Sequence, residues 1–293
     1  MVNSHLPLSL VGANGDVIQF SRWHADYIGM PGARGFGVPP ETLALLEGAG
    51  EGGTPRNVHV GPRDIDLPIT IVGENRGDVL EKQRRLRKAL RWRPGTSQPM
   101  PKLRFALYAG EVFEIGVTYA GGAETQIGPM GSDTHTTWLL TLRAPKPYWV
   151  SVDQLVAFDL SSSGAGRGLL PQLSRLQLSS SQVLGDVTVN NPGDVEAPLD
   201  WIITGPGGPL TATYGDDSFI IEAELEAGES RIIDCTLGTI VDELGDNRYT
   251  DLGTAPKFFK LRDGSSSINV TFTSATSDSR VVGLYRPRRE LVY

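Results

Sequence analysis

The run Thr136–Trp149 constrains this chain more than any other stretch. Trp138, Leu140 and Leu142 interleave with Thr137, Leu139, Thr141 and Arg143. A period of two places one row of side chains on each face of a sheet. Pro145 and Pro147 follow. Neither has an amide hydrogen to give a ladder, and each pushes the residue before it toward extended geometry, so the strand must stop there. Tyr148 and Trp149 supply two large rings with polar tips just past the stop, which suit a joint that is half dry and half wet. Half the chain precedes this elbow and half follows it. The elbow reads as the seam between two β-rich domains, 1–150 and 183–293. Between them, 151–182 is a connecting region whose later part is rich in Ser, Gly and Leu.

Bulk composition narrows the class. The 35 glycines and 20 prolines favour many short strands and turns over long helices. A net charge of −7 argues against a protein that grips nucleic acid through its phosphates, which needs a basic surface. One cysteine, Cys235, excludes an intramolecular disulfide framework. The start, Met1–His5, lacks the basic and apolar segments of a secretory leader, so synthesis in a cytoplasm is expected. No apolar run of about 18 residues is present to span a membrane, and no membrane partner is expected.

Along the chain, Leu8–Val11 and Val17–Phe20 flank Gly12-Ala13-Asn14-Gly15, a strong hairpin signal. Gly29 to Pro62 reads as a long loop with one short helix over Glu41–Glu47, opened by Pro40 and stopped by Gly48. A loop of that length usually does something, such as reach a neighbour. Arg63–Val72 is a strand with Ile65, Leu67, Ile69 and Ile71 on one face. Pro68 on the other face hints at an edge. Val79–Arg91 is the one convincing helix, with Asp78 and Glu81 resembling a capping box and Pro94-Gly95 ending it. Leu103–Leu107 and Phe113–Tyr119 form a further hairpin. After a strand at Val152–Leu160, eight short strands between Val187 and Tyr285, with no helix among them, point to an antiparallel sandwich or jelly roll.

Few residues invite a chemical reading. The basic helix Lys82–Arg93 is either a surface for DNA or an acidic partner, or a solvated face paired with acidic neighbours. The acidic balance of the chain favours the second. Asp242-Glu243-Leu244-Gly245-Asp246-Asn247 is oxygen-rich, but Leu244 breaks the alternation a calcium loop needs, so a plain turn is expected. Asp216, Asp217, Glu222, Glu224 and Asp234 could furnish a glycosidase pair. Their alternation with Ile221, Ala223 and Leu225 more simply marks the wet side of a strand. Cys235 has no histidine near it and reads as a small buried hydrophobe. The four histidines, His5, His24, His59 and His135, show no metal-ligand spacing. Asn269-Val270-Thr271 matches a glycosylation acceptor only by chance. Trp201 is expected in the core, whereas Tyr214 is a candidate to stack on sugar rings. No catalytic, cofactor-binding or metal-ligating residue is assigned.

Several motifs in order resemble the distal tail protein family of long-tailed bacteriophages. They are Ile71-Val72-Gly73 before the basic helix, Leu103–Leu107, Tyr119, and the strand that ends in Lys146-Pro147-Tyr148-Trp149. In the second half they are Asn191-Pro192-Gly193, Trp201–Pro206, Ile233-Asp234-Cys235 and Leu261–Ile268. Ser266 stands where the family usually shows Asn. The resemblance implies a mainly β chain. A tail-tube-like β-sandwich with one flanking α-helix and a β-hairpin arm precedes a galectin-like sandwich. It implies a non-enzymatic virion protein, a ring of six copies that joins the tail tube protein to the tip hub, with DNA passing through an acidic channel. The loop Gly29–Pro62 and the arm Phe113–Gly122 would then reach across subunits, and the outer sandwich would meet host-surface carbohydrate.

Overall fold

The computed structural model describes residues 5–21, 25–48, 51–107, 110–124, 133–161 and 182–292. The protein is mainly β, with several antiparallel sheets. Its contacts divide it into two units, Met1–Val152 with Arg289–Tyr293, and Asp153–Arg288. Of the connecting region read at 151–182, residues 162–181 lie outside the described residues, and Leu155–Ser161 is a strand of the second unit.

In the first unit the strands are β1 (His5–Val11), β2 (Val17–Ser21), β3 (Tyr27–Gly29), β4 (Glu41–Glu47), β5 (Gly53–Val60) and β6 (Arg63–Val72). After the helix α1 (Arg76–Ala89) come β7 (Lys102–Ala106), β8 (Val112–Gly116), β9 (Thr118–Gly122), β10 (His135–Ala144) and β11 (Trp149–Ser151). All but β4 and β5 join one sheet, in the order β11-β8-β7-β1-β2-β3-β6-β10-β9. The alternating rows read in the sequence face each other in register. Ile65 lies opposite Leu142, Leu67 opposite Leu140 and Ile69 opposite Trp138, and all six are buried.

The sheet must fold over on itself, and one short segment shows why. Arg34 exchanges both backbone hydrogen bonds with Asp66 of β6, at 2.9 and 3.1 Å. Two residues later, the Phe36 ring stacks on Trp149 of β11 at 5.8 Å and meets Phe105 of β7 at 5.9 Å. On a flat sheet β6 and β11 would stand about 29 Å apart, at about 4.8 Å per strand. Two residues of chain reach only about 7 Å. The two ends of the sheet therefore close on a common core.

Arg63 anchors this closure. It is buried, and its guanidinium donates to the carbonyls of Gly35 (3.2 Å), Gly37 (2.7 Å) and Glu290 (2.8 Å). Burial pushes its pKa below the ordinary arginine value, opposed by Glu290 and Tyr148. On the other side of the sheet's curl, Tyr27 of β3 donates its phenol proton to the carbonyl of Lys82 in α1, at 2.9 Å. Burial raises the Tyr27 pKa from 10.0 to about 12.

Several local expectations are corrected. Trp149 is fully buried in the first unit rather than half wet, because the sheet resumes after the prolines, with β11 pairing with β8. Pro68 lies on an interior strand. Its carbonyl accepts from Met30 just past the end of β3, so the side where its amide hydrogen is missing faces a gap between β3 and Arg34. The helix starts earlier than expected. Asn75 is its N-cap, accepting from the Asp78 amide, while the Asp78 carboxylate accepts from Glu74. Phe113–Gly122 is no free arm: β8 pairs with β7 and β9 with β10. Gly122 has φ +79° at the end of β9, just past its bulge against β10, and a Cβ there would strike the carbonyl of Leu139.

In the second unit the strands are β12 (Leu155–Ser161), β13 (Gln182–Asn191), β14 (Ala197–Thr204), β15 (Leu210–Tyr214) and β16 (Asp217–Ile221). They continue as β17 (Ser230–Asp234), β18 (Thr239–Val241), β19 (Lys260–Leu261), β20 (Gly264–Thr273) and β21 (Arg280–Tyr285). One sheet runs β12-β21-β14-β17-β18, with β19 also on β14, and the other β13-β20-β15-β16. Trp201 of β14 fills the space between them. Its ring meets Phe158, Phe219 and Phe259 edge-on at 5.1, 5.2 and 5.9 Å. Phe219 belongs to the opposite sheet, so the contact crosses the sandwich. The core position expected for Trp201 is its observed one.

Both the Trp201 core and the Tyr27 contact can be tested. Trp201→Ala lowers the stability of the second unit by about 3–5 kcal/mol, since a cavity replaces the ring. Urea unfolding followed by circular dichroism reads the shift, and a cost under about 1 kcal/mol contradicts the packing described. At Tyr27 the lever is alkali. The folded Tyr27 pKa is raised above its unfolded value, so its contribution is complete below pH 10.0 and is lost as pH climbs toward about 12. Thermal melts of wild type and Tyr27→Phe across pH 9–12 should therefore converge at the top of that range.

Candidate interaction surface

The β4–β5 pair forms a separate two-stranded sheet, not hydrogen-bonded into the large sheet of its own unit. Its base is closed by the Gly61 amide on the Pro40 carbonyl, at 2.9 Å. The register sets Leu43 against Val58 and Leu45 against Pro55. A bulge between Ala44 and Leu45 leaves Arg56 as the extra residue. One face of the arm therefore carries Leu43, Leu45, Val58 and Pro55, with Glu41 and Glu47 at its two ends. Leu43, Leu45 and Val58 are 49%, 53% and 50% exposed. Lone two-stranded hairpins are marginal in water, and exposed strand edges invite pairing. This arm replaces the short helix expected over Glu41–Glu47. The Pro40 and Gly48 punctuation suits a helix, but the segment has no core to pack a helical stripe against. The Gly48–Gly53 cluster between two apolar runs, with Val58 and Val60 beyond it, was the hairpin signal.

The basic helix has two characters. Val79, Leu86 and Ala89 face the core. On the flank, Lys82 pairs with Asp26 at 2.8 Å and with Asp78 at 2.9 Å. Arg85 forks onto both oxygens of Asp16 at 2.7 Å, and this hydrogen bond holds the Asp16 carboxyl below its usual pKa. Arg87 lies over the Tyr119 ring at 4.7 Å. These residues fit the paired reading. The outward stripe does not. Leu80 is 42% exposed, and Arg76, Arg84 and Lys88, with Arg91 just past the helix end, are exposed and form no ion pair among the described residues.

The remaining candidates take structural places. Asp242 accepts from the amides of Leu244 and Asp246 and from Arg248, so the oxygen-rich turn is held by its own chain. Burial would raise the Asp242 pKa, but those two amides and the guanidinium outweigh it and keep the carboxyl below the usual range. Asp217 pairs with Lys257 at 3.4 Å, Asp234 accepts from the Thr236 and Leu237 amides, and Asp216, Glu222 and Glu224 are exposed. Burial, then Asp200 and Asp234, push the Cys235 thiol far above its ordinary pKa. Asn269 donates to Asp186. His59 and His135 are exposed on separate strands, and the His24 expectation lies outside the described residues. No group of three metal-type ligands occurs among the described residues. No described helix is long and apolar enough to cross a membrane. Tyr214 is half-buried, bonded through its hydroxyl to Ser266 at 3.0 Å, with Arg262 6.0 Å from its ring.

No family model matches the sequence, and no curated protein matches it. Solved structures do. The Dit protein of phage SPP1, described as a paradigm of the hub adsorption apparatus in phages that infect Gram-positive hosts, superposes with a TM-score of 0.64. It is 12% identical, over 95% of this chain and 98% of that one. A chain of the phage P2 baseplate in its activated conformation with Ca superposes at 0.55, with 10% identity over 97% and 99%. The form with Sr gives 0.54, again at 10% identity over 97% and 99%. Across nearly its whole length, this chain has the fold of phage hub and baseplate proteins.

Proposed function

We propose that the chain is a structural, non-enzymatic distal tail protein, a ring subunit at the tip of a phage tail. The observation that carries this reading is the match to SPP1 Dit over nearly the full length of both chains. In this reading six copies close a ring between the tail tube protein and the tip hub proteins, and the genome passes through the opening. A net charge of −7 suits that passage, because phosphates meet no dense basic surface on which to release counterions. A closed heterologous ring needs a projecting surface and a receiving one on every copy. The β4–β5 arm supplies the projection, whereas the Phe113–Gly122 segment is used up within its own sheet.

Negative-stain microscopy and multi-angle light scattering test this on the full chain. Rings with a central hole and the mass of six chains are expected. A strictly monomeric species at every concentration overturns the proposal.

One observation favours a second role for the second unit, binding of host-surface carbohydrate. A cavity of about 230 Å³ lies beside Tyr214, lined also by Glu196, Asp217, Lys260 and Arg262. An aromatic face beside charged side chains of both signs is the equipment for holding a sugar ring. On a glycan array, wild type should bind host polysaccharides and Tyr214→Ala should lose at least about tenfold in affinity, the scale of one stacking contact. Silence of the wild type across the array removes this role.

A further inference from the structure

The arm and the outward stripe of α1 are complementary in both charge and length. The arm carries Glu41, Glu47 and Glu51 against a single arginine, Arg56. On its apolar face, Glu41 and Glu47 stand at the two ends of Leu43, Leu45, Val58 and Pro55. The strand from Glu41 to Glu47 is about 20 Å long. On the helix, Arg76, Leu80, Arg84 and Lys88 recur at spacings of four, and so lie along one side. From Arg76 to Lys88 is about 18 Å, at 1.5 Å per residue. Glu81 at the margin of this stripe is the acidic exception. Exposed apolar surface sits at the middle of both faces, as Leu43, Leu45 and Val58 on the arm and Leu80 on the helix.

We propose that the Leu43–Leu45–Val58 face of one copy's arm docks on the Arg76–Leu80–Arg84–Lys88 stripe of the next copy. Glu41 and Glu47 then meet Arg76 and Lys88 at the ends of the stripe, and the leucines cover Leu80 and the alkyl stem of Arg84. This rests on the ring reading above, and it supplies that ring with its two unlike surfaces. A second copy is favoured over nucleic acid because the arm is acid-ended and apolar. It would meet the stripe with both charge and hydrophobic surface, whereas a phosphate backbone offers only charge.

Charge reversal on the full-length chain tests the pairing. The arm variant is E41K/E47K, the helix variant R76E/R84E/K88E, and a third chain carries all five changes. All the altered residues are exposed, and thermal melts confirm that each chain folds. Light scattering against concentration reads assembly, with filter binding to duplex DNA in parallel. Each one-sided variant should need at least about tenfold more protein to assemble, the scale of two or three surface pairs turned repulsive. The five-fold variant should recover most of the wild-type behaviour, and added salt should weaken assembly of the wild type. If the wild type assembles and the one-sided variants match it, the docking is wrong while the ring stands. The docking is equally wrong if the five-fold variant fails to recover, or if the helix variant changes only DNA retention. A wild type that never assembles overturns both the docking and the ring.

Discussion

One buried cation holds together the parts of the first unit that matter most for assembly. Arg63 opens β6, and among the described residues no carboxylate is hydrogen-bonded to its guanidinium; its two terminal nitrogens donate to the carbonyls of Gly35, Gly37 and Glu290, while its buried Nε has no partner. Burying a guanidinium is costly unless its protons find partners. Here those partners come from the segment that leads into the arm and from the returning end of the chain. The arm therefore springs from backbone that is pinned at its root. Phe36, between Gly35 and Gly37, is held in the ring cluster with Phe105 and Trp149. A projecting hairpin with a loose root would lose entropy on every docking event; a pinned root removes part of that cost in advance.

The second unit reaches rigidity by another route. Its two sheets present alternating rows to each other, and Trp201 spans the gap to touch rings from both. Polar groups at the rim are tied into local turns, as with Asp242 and its three donors. The first unit is a sheet folded over on itself with a helix beside it. The second is two separate sheets facing each other.

Much of this was legible in the sequence, and the physical reasons are specific. Ile65, Leu67, Ile69 and Ile71 announced a strand because alternation has only one structural meaning when one face is buried. The Gly12–Gly15 turn announced its hairpin because positive φ selects for glycine, and Gly15 has φ +80°. Trp201 was placed by its apolar neighbours. The failures turn on pairings that the end signals of one segment do not reveal. Glu41–Glu47 has end signals fit for a helix and becomes a strand because the next segment, β5, pairs with it. Trp149 follows two prolines and still re-enters the sheet, because β8 offers a free edge and Phe36 a ring to stack on. Pairing along the helix flank follows from the acidic balance of the chain, but which arginines stay unpaired depends on where Asp16 and Asp26 fall. The arm and the stripe, the best candidates for function, could be recognised as surfaces only once it was clear what they do not touch.

The backbone enters the second unit after Val152 and comes back to the first at Arg289, where Val292 is buried in the core. The second unit is thus an insertion, held by two covalent tethers instead of one. A single protease nick in either crossing would leave it attached, and a mechanical load applied to it would be shared between two peptide lines. The same plumbing makes the unit exchangeable: a different sandwich could be spliced between those two points while the first unit keeps the segments on either side of them.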